Sequence, residues 1–172
     1  MKIAYTMAPG RGDTDQLLFA FAQELMALGY RTCGTVQINT DCGPHPCDMD
    51  VQVLPDGPTL RISQNLGTSA RGCRLDPSAL ESAVGLVGKQ LGTVADILIV
   101  NKFGKHEADG RGFRSVIAEA IAADIPVLVG VNTINVDAFM EFVGSDARAL
   151  APCHQELLAW VRSVRPERRD VA

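Results

Sequence analysis

The run Ala95-Asp-Ile-Leu-Ile-Val100 constrains the fold of this chain more than any other feature. Four successive large aliphatic residues leave no polar face, so the strand must be covered on both sides, as happens in parallel sheets flanked by helices. Residues 126–131 form a second buried strand. Between and around these runs the apolar residues fall at helical spacing: Leu17, Leu18, Phe21, Leu25 and Leu28 after a first strand at 1–7, then Leu80, Val84, Val87 and Leu91. Asp76 is placed to cap that second helix, with Pro77 at its first position. Residues 31–39 form another strand, and 41–48 a loop. Asp56-Gly57, set between 51–54 and 59–64, signals an antiparallel hairpin, although Pro58 limits ladder bonding. Helices are expected at about 113–123, 136–143 and 155–164. The βα alternation predicts a three-layer α/β/α sandwich about a mainly parallel sheet, with one inserted β-hairpin.

Composition fits one domain at 1–164, followed by a flexible tail at 165–172. The 172 residues are 47% hydrophobic and 21% charged, enough for a real core, and no low-complexity tract argues for disorder. No stretch approaches the roughly 20 apolar residues of a membrane span, so a cytoplasmic protein is expected. The net charge of −4 argues against a general nucleic-acid binder, and Arg162, Arg165, Arg168 and Arg169 read as a solvated tail. Five cysteines without regular spacing suit reduced thiols. Cys42, His45 and Cys47 lack a second ligand cluster beyond Cys73, so they read as a free-thiol loop with no metal. Phe139, Phe142 and Val143, or Leu157, Leu158 and Trp160, are read as mainly core, with a homo-oligomer interface as the alternative.

Two loops carry the candidate chemistry, because ligands of open α/β sheets bind beyond the carboxyl ends of the strands. The first is Met7 to Thr14, fed by a strand and drained by a helix, which makes Pro9, Gly10, Arg11, Gly12, Asp13 and Thr14 an anion-site candidate. Set against G-x-x-x-x-G-K-[ST], Gly12 and Thr14 match, Met7 replaces the first glycine and Asp13 replaces the lysine. A like charge about 4 Å away costs roughly 4 kcal/mol at an effective dielectric of 20, so Asp13 penalises a triphosphate. The second loop is Asn101 to Arg114. There Lys102, Lys105, Arg111 and Arg114 can neutralise an anion, and Gly104, Gly110 and Gly112 would let backbone N–H groups approach it. His106 reads as a solvated loop residue.

Pro9-Gly10-x-Gly12, Gly34, Gln37, Gln64, Gly72-Cys-Arg-Leu-Asp76 and Asn101-Lys-Phe-Gly-Lys105-x-Glu107-x-x-Gly110-Arg-Gly112 together resemble DUF2478, a bacterial family of uncharacterised proteins, over nearly the whole chain. That family is similar to a degenerate branch of the THEP1-type nucleoside-triphosphatases, and its members are often encoded beside molybdate transporters and molybdoenzymes. The resemblance implies a P-loop NTPase-like fold and a role in molybdenum metabolism. It also implies a nucleotide or an oxyanion such as molybdate or tungstate as ligand, and transporter or molybdoenzyme components as partners. Against the THEP1 pattern, Asp13 stands where a lysine is expected and Asn101-Lys102 where an Asp-Glu pair is expected. Thr14, Gly104 and Glu107 are retained. Loss of the acids that orient Mg²⁺ and water removes hydrolysis of the usual kind.

The preferred expectation is therefore a protein that binds a nucleotide or oxyanion and hydrolyses weakly or not at all. One alternative is an active nucleoside-triphosphatase or transferase in which Lys102 or Lys105 replaces the missing lysine, with Lys102 and Glu107 as catalytic candidates. The other is a non-catalytic regulatory or assembly protein. Two spatial expectations follow: Asp13 faces Lys102 as an inverted ion pair, and Arg71 and Arg74 join Lys102 and Arg111 over one pocket as fork-like donors for a tetrahedral oxyanion.

Overall fold

The computed structural model describes residues 1–39, 48–64 and 74–165. Its elements are β1 (Ile3–Thr6), α1 (Asp13–Ala27), β2 (Thr32–Asn39), β3 (Met49–Val53), β4 (Thr59–Arg61), α2 (Pro77–Val94), β5 (Ile97–Phe103), α3 (Lys105–Ala108), α4 (Arg114–Ala122), β6 (Val127–Val131), α5 (Val136–Val143), β7 (Arg148–Leu150) and α6 (His154–Val164). The strands form one sheet in the order β4-β3-β2-β5-β6-β1-β7. β2, β5, β6, β1 and β7 are parallel, while β3 pairs antiparallel with both β2 and β4.

The two-residue pleat sorts each strand between two cores. Ala4, Ile97, Ile99 and Leu128 meet Leu18, Phe21 and Leu25 of α1 and Leu157, Trp160 and Val161 of α6. Ile3, Leu98, Val100, Val127 and Val129 face Val84 and Val87 of α2, Ile117 of α4 and Phe139 of α5. A fully buried side chain such as Phe21 contributes about 1.5–3 kcal/mol. The three-layer architecture with a mainly parallel sheet is thus present. α2 also starts as expected: Asp76 Oδ1 accepts from Ser78 N at 2.9 Å and Ala79 N at 3.1 Å, with Pro77 first in the helix.

The inserted hairpin is present and extends the main sheet, since β3 pairs with β2 from Thr35–Val53 to Asn39–Met49. The sequence reading and the structure differ in three places. β5 continues three residues past Val100, and the loop after it contains α3. β7 is an unexpected edge strand, formed by two exposed residues and Leu150. Arg165, assigned to the tail, is anchored: its Nη2 and Nε lie 2.8 and 3.2 Å from Asp96 Oδ1. Asp96 also accepts from Arg31 N, Nε and Nη2 at 3.0, 2.9 and 2.8 Å. Hydrogen bonds from Arg31, with Arg165 beside it, hold the Asp96 carboxyl well below the usual carboxylate range.

Phe139, Val143, Leu157 and Trp160 are buried within the domain, while Phe142 and Leu158 are half-buried against the same cores. Cys33 is a buried free thiol, pushed up to about 11 by burial, and Cys153 is exposed. Among the described residues no helix is long and apolar enough to cross a membrane. Cys42, His45, Cys47, Arg71, Gly72, Cys73, Arg168 and Arg169 lie outside the described residues.

Candidate anion site

β5, β6 and β1 are neighbours, and the segments that follow them enclose a cavity of about 320 Å³. Its wall comprises Met7 to Gly12, then Thr14 and Asp15 at the start of α1, Asn101 and Lys102 of β5, and Gly130 to Thr133. This is where ligands of open α/β sheets collect. Gly12, at φ 84°, turns the chain into α1 in a conformation that disfavours side chains with a Cβ. Thr14 Oγ1 accepts from Ala8 N at 2.9 Å and closes the loop onto itself. The first N–H groups of α1, which have no intrahelical acceptor, bring the positive end of the helix dipole to the cavity.

The opposite wall is shaped by an irregularity. The β5–β6 pairing shifts register between Val100 and Phe103, so Asn101 and Lys102 lie at a bulge in the ladder. Gly130 lies against the Asn101 carbonyl, and a Cβ there would also come within 2.9 Å of Leu18 Cδ1 and 3.0 Å of Thr14 Cγ2. The absence of a side chain at 130 lets the tip of β5 and the first turn of α1 approach each other.

At that junction stands a residue the sequence reading passed over. Asp15 is 8% exposed and Asn101 4%; Asn101 Nδ2 donates to Asp15 Oδ1 at 2.8 Å, and Gln37 Nε2 to Asp15 Oδ2 at 3.3 Å. Asn101 Oδ1 in turn accepts from Gln37 N at 3.0 Å. Strands β2 and β5 thereby fix a carboxylate of α1 at the cavity wall. The charged lining residues are Arg11, Lys102 and this carboxylate.

Asp13 behaves differently. Its carboxylate folds back over Gly10, occupying the space that a Cβ at position 10 would need. Asp13 does not line the cavity, and no ion pair joins it to Lys102, contrary to the expected inverted pair. The exposed Lys102 borders both this cavity and a second one of about 190 Å³. Apolar residues such as Met49, Val51, Ile62, Leu80 and Phe113 dominate that second wall, with Lys105, His106 and Glu107 among its polar members.

The loop after β5 is largely occupied with its own structure. Glu107 is buried; its Oε2 accepts from Gly104 N at 2.9 Å and its Oε1 from Phe113 N at 3.2 Å. Gly110 N donates to Glu107 O at 3.0 Å and Gly112 N to Glu81 Oε1 at 2.9 Å. The N–H groups of Gly104, Gly110 and Gly112, expected to approach an anion, are therefore already used. His106, expected in solvent, is buried with Nε2 2.8 Å from Glu81 Oε1. That contact, with the Gly112 amide, lowers the Glu81 carboxyl from its ordinary value.

The remaining cations do not converge. Arg114 donates to Glu107 O at 3.4 Å and lies 4.3 Å over the Phe142 ring. Arg111 is exposed, 3.9 Å from Asp109. Arg74 donates to Gln64 O at 3.3 Å and lies 3.6 Å from Asp48, so it joins the β3–β4 end of the molecule. Among the described residues, Arg74 and Arg111 do not join Lys102 at either cavity; Arg71, the fourth expected donor, lies outside those residues. Of the expected site residues, Pro9, Gly10, Arg11, Gly12, Thr14, Asn101 and Lys102 share the first cavity, and Asn101, Lys102, Gly104, Lys105 and Glu107 the second.

The family model for a protein of unknown function, DUF2478, matches residues 3–160. The chain belongs to the DUF2478 family. It is 37% identical over 163 residues to the molybdenum import ATP-binding protein ModC 2 of Bradyrhizobium diazoefficiens, an alignment spanning 94% of this chain but 18% of that protein. Two solved structures share the fold. THEP1 of Aquifex aeolicus superposes with a TM-score of 0.67 at 16% identity, and a human cancer-related nucleoside triphosphatase with 0.68 at 17%; each comparison covers 98% of this DUF2478 chain and all of the other. The fold is that of the P-loop NTPases.

Such a fold implies a nucleoside triphosphate with Mg²⁺, and the residues present do not fit that pair in the usual manner. The lysine position of the loop holds Asp13, turned onto Gly10, and the tip of β5 offers the amide of Asn101. The carboxylate that does reach the site, Asp15, is engaged by two amide donors. Among the described residues no group of three His, Cys, Asp or Glu side chains is arranged to hold a metal ion.

Proposed function

We propose that this DUF2478 chain binds a small anion, an oxyanion or the phosphate of a nucleotide, in the cavity between the loop at 7–12 and Asn101-Lys102, without orthodox triphosphate hydrolysis. The observation that carries this reading is the convergence on one cavity of the first turn of α1, Arg11 and Lys102. Arg11 supplies a fork of donors and Lys102 a compact positive charge from the opposite wall. The loop amides and the Thr14 hydroxyl, whose oxygen is already fixed by Ala8 N, orient the ligand. The name of the ModC-like relative supports a place in molybdate import or use, in which this domain would act as an anion-responsive partner of transporter or molybdoenzyme components.

The test is calorimetric titration of anion-free protein with phosphate, sulfate, molybdate and magnesium-ATP as separate titrants, alongside an assay of phosphate release from magnesium-ATP. Saturable binding of at least one anion, weakened about tenfold or more in Arg11→Ala and Lys102→Ala, with no magnesium-dependent turnover, is expected. Turnover abolished by Lys102→Ala would overturn the non-hydrolytic reading in favour of a nucleoside-triphosphatase with a relocated lysine. Silence from every titrant would favour a scaffold whose pocket is structural.

A further inference from the structure

Asp15 gives the cavity a property that an ordinary anion site lacks. Arg11 and Lys102 attract negative charge, yet a carboxylate borders the same space, held at its two oxygens by Asn101 Nδ2 and Gln37 Nε2. Those contacts come from two different strands, and Asn101 is itself fixed through Oδ1 by Gln37 N, so the carboxylate cannot swing away from an arriving ligand without breaking the network. A carboxylate has about four acceptor positions and no hydrogen to donate. Against a fully ionised oxyanion it offers only oxygen facing oxygen and charge facing like charge. Against an oxyanion that keeps a proton, it accepts a short, charge-assisted O–H···O bond.

We infer that Asp15 is the specificity-determining residue of this cavity and selects tetrahedral oxyanions that carry a proton at neutral pH, hydrogen phosphate and hydrogen arsenate, over those that do not, sulfate, molybdate and tungstate. The inference rests on the anion-binding reading above and narrows it to a ligand class. Selection of this kind comes from repulsion as much as from attraction: an ion without a proton leaves the Asp15 oxygens facing its own.

Titration of the full chain at neutral pH, in a buffer free of all these anions, tests it with phosphate, arsenate, sulfate and molybdate as probes. Phosphate and arsenate are expected to bind about 10- to 100-fold more tightly than sulfate and molybdate, the ratio for one charge-assisted hydrogen bond gained or lost. In Asp15→Asn, whose amide can donate to an ionised oxygen, phosphate weakens, sulfate and molybdate strengthen, and the ratio falls to within about threefold. Wild-type protein that binds sulfate or molybdate as tightly as phosphate overturns the inference, whether or not the variant folds, while leaving the anion site standing. An unchanged ratio in a variant with wild-type far-ultraviolet dichroism also overturns it. Absence of binding by all four anions overturns the anion site itself, and the selection with it.

Discussion

Replacing Asp96 with asparagine is expected to destabilise the domain by about 2–3 kcal/mol at pH 6–7, and by less in acid. Asp96 receives three N–H groups of Arg31 and two of Arg165, all between 2.8 and 3.2 Å. Breaking a fully buried ion pair costs about 3–5 kcal/mol because a bare charge remains inside. Here the guanidinium side chains stay 38% and 41% exposed and recover hydration, so the lower figure applies. The thermal midpoint should fall by roughly 4–12 °C for a chain of this size. The pH dependence follows from linkage. Since the folded-state carboxyl titrates below its unfolded value, its contribution is complete above that unfolded value, near 3.9, and is lost as the pH falls through the depressed one. Each pH unit below about 3.9 removes about 1.4 kcal/mol, so the gap between wild type and Asp96→Asn should close by about 1 kcal/mol between pH 6 and pH 3. Urea unfolding at both values measures it. A variant within about 0.5 kcal/mol of wild type at pH 6, or a gap of equal size at pH 3, would refute the argument that this cluster ties α6 to the start of β5.

Two further substitutions probe the site framework. Glu107→Ala should cost about 2–4 kcal/mol in chemical unfolding, because the amides of Gly104 and Phe113 lose a buried acceptor; Glu107→Gln, which keeps one accepting oxygen, should recover about half of the loss. Gly130→Ala should destabilise by about 1–3 kcal/mol and weaken anion binding together, since the added methyl meets the Asn101 carbonyl, Leu18 and Thr14. Unfolding curves and titrations on the same preparation measure both effects, and wild-type stability at position 130 would show that the two walls can separate freely.

The sheet was legible because burial on both faces leaves an unmistakable pattern. Ile97 to Val100 has no polar face, and the structure covers all four residues completely. The parts that were missed carry no such pattern. Asn101 and Lys102 extend β5, yet they are polar and in sequence resemble the beginning of a loop. β7 buries Leu150 alone, so three residues at a sheet edge have no periodicity to read. Arg165 looks like one of several tail arginines until Asp96, 69 residues away, is seen facing it. Glycine and charge density mark the loop at 101–114 as functional, whereas much of that polarity satisfies the turn itself: Glu107 and Glu81 accept its amides.

The site shows the same division more sharply. The position of the first loop followed from strand, turn and helix, and Asn101 followed from the end of a strand. Asp15 did not, because an acid in the first turn of a helix already has a local explanation in the helix dipole. Its second role depends on Asn101, 86 residues away, and on Gln37. Considered singly, Asp13, Asn101 and Lys102 are three departures from the expected nucleotide-site pattern. Considered together with Asp15, they leave an amide at the end of the strand, a carboxylate on the helix and a cation on β5 around one cavity. A carboxylate at a metal position helps triphosphate binding because the metal offsets it. The same charge, fixed by two amides beside the anion path, opposes any anion that cannot give it a proton. The proposed link to molybdate, which rests on the name of a relative, and the proposed selection by Asp15 are separate claims, and titration of molybdate against phosphate decides between them.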